Sequence, residues 1–344
     1  MNTPANETNL RGYKLNSPYE DNPNMIFFVD YLDQPENWLQ FFMNSGALNY
    51  RNIYVLNQPN FGNSDYHHQH DNEALHQIST SNTIERFMYN EKISTATVGG
   101  HGFGARYALQ MACYRPDLTT GFIGVDYTPL DYNSFELTDR LQSALRELTP
   151  LTSKMASGKM DRKGINDFIE KNVPHGKLQA LFKQNVKHVS GNVFTWGFNF
   201  ELMKEQLSRL VNWSPNNGLY PGRTLFAFPE YSDYVFLGSH SLAMHKIAPR
   251  TDDLYNGVGL ILSPKDETFN NHFPYEDQDM SVQLSMKINK FLNLYDGVHV
   301  LLMDRREVQD KAFIPARIHE RNDGLTEDYF PNHFHHNWRY VKPE

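Results

Sequence analysis

The chain has 344 residues, 40% of them hydrophobic and 21% charged, with 40 acidic and 32 basic side chains for a formal net charge of −8. Its apolar runs, such as Val298-His299-Val300-Leu301-Leu302-Met303, fall short of the ~18–20 residues that span a bilayer, and the apolar fraction is too high for a disordered chain. The acidic balance argues against general nucleic-acid binding, and the single cysteine, Cys113, excludes a disulfide framework or a cysteine-built zinc site and fits a reducing compartment.

Residues 1–24 read as an extended polar arm of Asn, Pro, Ser, Thr and Gly. The arm has no apolar h-region and is not Arg-rich, so it resembles neither a secretory signal nor a transit peptide. Six apolar runs then read as buried strands: Met25-Ile26-Phe27-Phe28-Val29, Asn52-Ile53-Tyr54-Val55-Leu56, Thr95-Ala96-Thr97-Val98, Gly121-Phe122-Ile123-Gly124-Val125, Thr224-Leu225-Phe226-Ala227-Phe228 and Gly259-Leu260-Ile261-Leu262. Helical patterns lie between them, at residues 83–89 and 105–114. Strands that are apolar throughout, alternating with helices, predict an α/β fold with a mostly parallel sheet covered on both faces.

The stretch 131–213 breaks this rhythm with four helical patterns, at 137–148, 164–171, 177–185 and 200–211. It reads as a helical lid between the fourth and fifth strands. An amphipathic helix at 281–292 closes the core. The expected organisation is an N-terminal arm (1–24), a core in two pieces (25–130 and 214–292), the lid, and a C-terminal extension (293–344). No internal repeat is visible.

Gly100-His101-Gly102-Phe103-Gly104 follows a strand and opens a helix. That is the setting of a nucleophile elbow, G-x-S-x-G, where a sharp strained turn presents a serine. Here the central residue is Gly102. Glycine reaches positive φ without a Cβ penalty, so the turn can persist, but it has no group to attack a carbonyl. A plain glycine-rich turn with no catalytic past is the simpler alternative. A degenerate phosphate loop is a third, although G-x-G-x-x-G is not matched.

Several further motifs bear on this choice. Tyr31-Leu32-Asp33-Gln34-Pro35-Glu36-Asn37-Trp38, Gln58-Pro59-Asn60-Phe61-Gly62-Asn63-Ser64, and Arg115-Pro116-Asp117-Leu118 with Gly124-Val125-Asp126-Tyr127-Thr128-Pro129 are three of them. Gly191-Asn192-Val193-Phe194-Thr195-Trp196-Gly197-Phe198-Asn199 and Pro221-Gly222-Arg223-Thr224-Leu225-Phe226 are two more. Together they resemble the α/β-hydrolase superfamily, and within it esterases of the alpha/beta-hydrolase domain-containing protein eleven type. The resemblance runs from about Met25 to Leu292.

The resemblance implies the α/β-hydrolase fold and a place for each catalytic part. Gly102 stands at the nucleophile position. Asp126 matches the family's acid, after the strand that follows the elbow. The family's base lies in a G-H-W-x-H turn, matched by Asp266-Glu267-Thr268-Phe269-Asn270-Asn271-His272; Thr268 stands beside the aromatic, and His272 fits the second histidine better than the catalytic one. Val29-Asp30 replaces the H-G pair of the oxyanion loop, and Asp30 would set a carboxylate where an oxyanion forms. The backbone N–H of Phe103 would remain as one oxyanion donor. Without the serine the covalent route is lost.

Other clusters read more simply. His67-His68-Gln69-His70-Asp71 reads as a solvated loop rather than a metal site, and Cys113 as a small core thiol. Ser64 and Ser94 have nothing nearby in sequence to activate them. No cofactor or metal is expected. The C-terminal extension carries His333, His335 and His336 among Phe330, Phe334, Trp338, Arg339 and Tyr340, and reads as a docking segment, since aromatics and Arg are the usual interface anchors.

The expectation is a non-catalytic accessory subunit of a large multi-protein assembly. The resemblance to esterases associated with mitochondria points to a respiratory-chain complex or ATP synthase, on the matrix side or inner membrane and peripheral to any membrane part. Two alternatives stay open: an altered ester hydrolase or small-molecule binder using the old pocket, and a free cytosolic scaffold.

Overall fold

The apolar runs line up as strands of one mostly parallel sheet in a computed structural model of the chain. The structure describes residues 9–18, 22–65, 77–213, 218–230, 232, 235, 258–262 and 273–293. Strand order among them is β1 (Gly12–Leu15), β3 (Asn52–Leu56), β2 (Asn24–Phe28), β4 (Ala96–His101), β5 (Thr119–Val125), β8 (Thr224–Pro229) and β9 (Val258–Leu262). The β1 strand pairs antiparallel to β3, and the other pairs of this sheet are parallel.

Alternate residues of each strand serve two cores, as the two-residue period of a strand requires. Met25, Phe27, Ile53 and Val55 face one side. There they meet Trp38 and Phe42 of α1 (Pro35–Ser45) and Met280, Leu284 and Ile288 of α8 (Gln278–Asn293). Ile26, Phe28, Tyr54 and Leu56 face the other side. There they meet Ile84 and Met88 of α2 (Gln77–Asn90) and Ala105 and Leu109 of α3 (Phe103–Tyr114). The strands are therefore buried on both faces, which explains their unbroken apolar runs.

The lid carries α4 (Glu136–Ala156), α5 (Arg162–Asn172), α6 (Gly176–Gln184) and α7 (Phe200–Leu210). The buried stripe of α4, Leu141, Ala144, Leu145, Leu148, Leu151 and Met155, repeats at three and four residues, the period of one helix face. Hydrogen bonds tie the lid to the core. Tyr31 donates its hydroxyl to the Leu210 carbonyl at 3.0 Å, and Arg106 Nε donates to the Asn212 carbonyl at 2.8 Å. Asn185 Nδ2 donates to the Leu32 carbonyl at 2.6 Å, and the Asn199 N–H to the Asn60 carbonyl at 2.7 Å.

Three features depart from the sequence reading. The segment expected to be all arm, residues 1–24, contains β1, which the core holds at its edge. Its side chains are mostly exposed, so no apolar alternation marks it. The lid is not wholly helical: β6 (Val186–Ser190) and β7 (Val193–Trp196) form an antiparallel hairpin whose turn holds Gly191 at φ 52°. No helical pattern was read at 31–38, yet this run turns into α1 at Pro35, a residue suited to a first helical turn because its missing N–H has no helical partner to lose. The expected base region with Thr268 and His272, the His67–His70 loop, and the C-terminal residues Phe330, Phe334, Trp338, Arg339 and Tyr340 lie outside the described residues.

The edge pairing depends on Gly12. A Cβ there would lie 2.0 Å from the Val55 carbonyl oxygen, a backbone atom that cannot rotate away. Gly12→Val is therefore expected to cost about 1–3 kcal/mol, the usual range for overpacking. Faster hydrogen exchange in β3, with the Asn57 N–H that bonds the Arg11 carbonyl included, would report the loosened edge.

Candidate functional site

The end of β4 meets the start of α3 at Gly102, held at φ 51° and ψ −129°. Its N–H donates to the Val125 carbonyl at 2.8 Å, which ties the turn to the end of β5. This is the strand–turn–helix setting that the glycine cluster predicted. Its central position carries no side chain, and the space beyond it is taken. A Cβ built on Gly102 would lie 2.4–2.6 Å from the carboxyl carbon and oxygens of Asp30.

Asp30 comes from the loop after β2 and is 4% exposed. Its Oδ1 accepts the backbone N–H of Phe103 at 2.6 Å. That N–H is the donor that would face an oxyanion. The carboxyl group thus engages directly the donor that the resemblance assigned to an oxyanion.

Asp126 follows β5 and is fully buried beside the turn. Its backbone adopts φ 50°, a left-handed conformation that Asp tolerates better than most residues. Its N–H donates to the Ala227 carbonyl at 2.7 Å, and Ser232 Oγ donates to its Oδ1. The structure thus gathers Gly102, Phe103 and Asp126 at one sheet edge, with Asp30 among them.

Aromatic rings link this turn to the lid. Tyr31 stacks on Phe103 at 4.9 Å between centroids and on Phe61 at 4.6 Å, and Phe61 stacks on Phe198 of the lid at 6.3 Å. Tyr132 meets Phe103 edge-on at 5.4 Å. All five rings are buried. Offset and edge-on contacts at these separations are favourable, so the stack joins turn, loop and lid as one packed body.

Sequence reasoning missed a second buried group next to the turn. Asp33 accepts Trp38 Nε1 at 3.0 Å, Asn37 Nδ2 at 2.7 Å, the Tyr275 hydroxyl at 2.9 Å and the Gln34 N–H at 2.8 Å. His101 Nδ1 lies 4.0 Å from its Oδ2. The run from Asp33 to Asn37 and Trp38, four and five residues on, was the available signal. Burial pushes the Asp33 carboxyl up to about 6, more than the hydrogen bonds from Asn37, Gln34 and Tyr275 pull it down.

This shift has a defined sign. Native Asp33 keeps its proton to higher pH than the unfolded chain does. Its contribution to stability is complete below about pH 4 and is lost as pH rises through about 6. Asp33→Asn removes the titration. Urea midpoints measured from pH 4 to 7 are expected to show the wild type losing ground against Asp33→Asn as pH rises.

The other singled-out residues have structural roles. Ser64 is buried, donates to the Asn57 carbonyl at 2.9 Å and accepts the Arg11 N–H at 2.8 Å. Cys113 sits half-buried in α3, and burial pushes its thiol up to about 12, away from the reactive thiolate. Ser94 is exposed. Among the described residues, no cluster of three or more His, Cys, Asp and Glu is placed to hold a metal ion. No described helix is long and apolar enough to cross a membrane.

Comparison with known proteins adds to this geometry. No family model matches the chain. The sn-1-specific diacylglycerol lipase ABHD11 of Mus musculus is 21% identical over 193 residues, covering 56% of this chain and 60% of that protein. The protein of the same name from Xenopus tropicalis is 22% identical over 189 residues, covering 54% and 56%. The matches thus span less than two thirds of the curated relatives' length. Among solved structures, a marine microorganism esterase superposes with a TM-score of 0.65 at 17% identity, covering 83% of this chain and 99% of its own. E-2-(acetamidomethylene)succinate hydrolase gives 0.54 at 16%, covering 79% and 92%. A potato epoxide hydrolase gives 0.52 at 13%, covering 81% and 94%. With the parallel sheet, the strand–turn–helix at Gly102 and the lid in their expected order, the chain is a protein of the α/β-hydrolase fold.

Proposed function

We propose that this chain is a non-catalytic α/β-hydrolase-fold protein that acts through protein contacts, as an accessory subunit of a larger assembly. The observation that carries the reading is the Asp30 carboxylate on the Phe103 N–H, beside a turn whose central residue is Gly102. A serine hydrolase needs a hydroxyl nucleophile and an open oxyanion site. Here a glycine stands at the first position and a carboxylate at the second, and negative charge repels a developing oxyanion. The buried aromatic rings that pack against the turn, Tyr31, Phe61, Phe103 and Tyr132, fit the same reading.

The assembly we propose is a mitochondrial one, a respiratory-chain complex or ATP synthase. The resemblance to esterases of the protein-eleven type supports this choice, and the aromatic composition of residues 293–344 supports docking to a partner. Affinity purification of the tagged chain at native level tests it. The expected result is co-elution with inner-membrane complex subunits at fixed stoichiometry. Recovery as a free monomer would overturn it. Truncation after Leu292 is expected to abolish that co-elution while leaving a folded core.

One observation favours a second reading, a surviving enzyme or small-molecule binder. Asp126 keeps a buried place beside the turn and accepts a hydrogen bond from Ser232. Ester turnover abolished by a single change at Asp126 or Asp30 would support it.

A further inference from the structure

We infer that the lid is a fixed layer of the fold rather than a gate, and that Arg106 is the pin that holds its closing helix to the core. The inference goes beyond the proposed function, since it concerns only how residues 131–213 are attached and holds with or without hydrolysis.

An α-helix leaves its last four carbonyls without a helical partner, and they carry the negative end of the helix dipole. In α7 they belong to Ser208, Arg209, Leu210 and Val211, the Leu207 carbonyl being the last to accept from the helix's own end, at Val211 N–H. Each of them accepts a bond from outside the helix. Asn133 Nδ2 donates to the Ser208 carbonyl at 2.9 Å and Arg106 Nη2 to that of Arg209 at 3.3 Å. The Tyr31 hydroxyl donates to Leu210 at 3.0 Å and the Tyr132 N–H to Val211 at 3.3 Å. Arg106 Nε reaches one carbonyl further, to Asn212, at 2.8 Å. Tyr31 and Arg106 belong to the core, while Tyr132 and Asn133 begin the lid. The lid's entry and exit are thus tied to each other and to the core at one place.

Arg106 is the hardest of these donors to replace. It is 8% exposed, and a buried cation is costly unless polar groups stand in for the water it loses. The carbonyl end of α7 does so. The planar guanidinium serves the Arg209 and Asn212 carbonyls together, which the compact ammonium of a lysine does not match. The other rim of the lid is held too. The Gly62 N–H donates to the Gly197 carbonyl at 2.7 Å, and Gln184 Nε2 to the Leu32 carbonyl at 2.7 Å. Swinging the lid away would break these bonds together and expose the stacked rings of Tyr31, Phe61 and Phe198 to water. The lid therefore comes loose only when the core unfolds.

Native-state hydrogen exchange against urea tests this on the unaltered protein. The amide protons of Leu207 and Leu210 in α7 are expected to share the urea dependence of Val98 in β4, the mark of one cooperative unit. Faster exchange with a shallower urea slope in α7 alone would show a separate lid opening and overturn the inference. Arg106→Met keeps an apolar stem and removes the donors. It is expected to create that separate opening, with the α7 amides accelerated about tenfold or more relative to Val98. Equal acceleration of α7 and β4 would mean that Arg106 supports only overall stability, and would overturn its role as the pin. Should Arg106→Met fail to fold, Arg106→Lys keeps the charge without the fork and is read in the same way, with the same two outcomes.

Discussion

Gly102→Ser is expected to destabilise the protein by about 2–6 kcal/mol and to create no esterase. Two costs add. At φ 51° and ψ −129° an L residue is strained by about 1–3 kcal/mol. Its Cβ would also lie 2.4–2.6 Å from the Asp30 carboxyl group, and overpacking of this kind costs about 1–3 kcal/mol more. The Cβ causes both, so Gly102→Ala should lose nearly as much as Gly102→Ser. Urea denaturation of the two variants checks this. If Gly102→Ser were as stable as the wild type and hydrolysed an ester, the central position would still be a working elbow.

Tyr31→Ala is expected to cost about 3–5 kcal/mol, the range for deleting a large buried aromatic. Tyr31 is 4% exposed and stacks between Phe61 and Phe103, while its hydroxyl bonds the Leu210 carbonyl at the end of α7. Removing the ring opens a void between turn and lid. Removing only the hydroxyl, in Tyr31→Phe, leaves the stack and costs about 1 kcal/mol. Hydrogen exchange in α7 reports whether the lid loosens. The expected order is fastest in Tyr31→Ala, then Tyr31→Phe, then wild type. Equal exchange in all three would mean that the ring does not hold the lid.

The fold was legible because its strands advertise themselves. Residues 25–29, 52–56 and 224–228 are apolar throughout, as a parallel sheet covered on both faces demands. Segments that satisfy a weaker physical requirement were not legible. The β1 edge strand exposes most of its side chains, so its pattern is polar, and only its pairing with β3 marks it as core. The β6–β7 hairpin is half exposed for the same reason. The turn at Gly102 was legible from its glycine cluster, and the neighbourhood of Phe103 and Asp126 from the resemblance that assigned them a place beside it. The sequence suggested that Asp30 would repel an oxyanion. It did not show that its carboxylate fills the space beside Gly102, since that depends on the approach of β2 and β4, residues 73 apart in the chain. The Asp33 group was hidden likewise, because Tyr275 reaches it across 242 residues.

The proposed loss of serine-hydrolase chemistry is tested most directly by intact-protein mass spectrometry of the folded wild type after exposure to a fluorophosphonate, beside an active serine hydrolase treated identically. The predicted result is an unchanged mass for this chain and a stoichiometric adduct on the control. An adduct on the wild type at a single residue, formed only while the protein is folded, would contradict it.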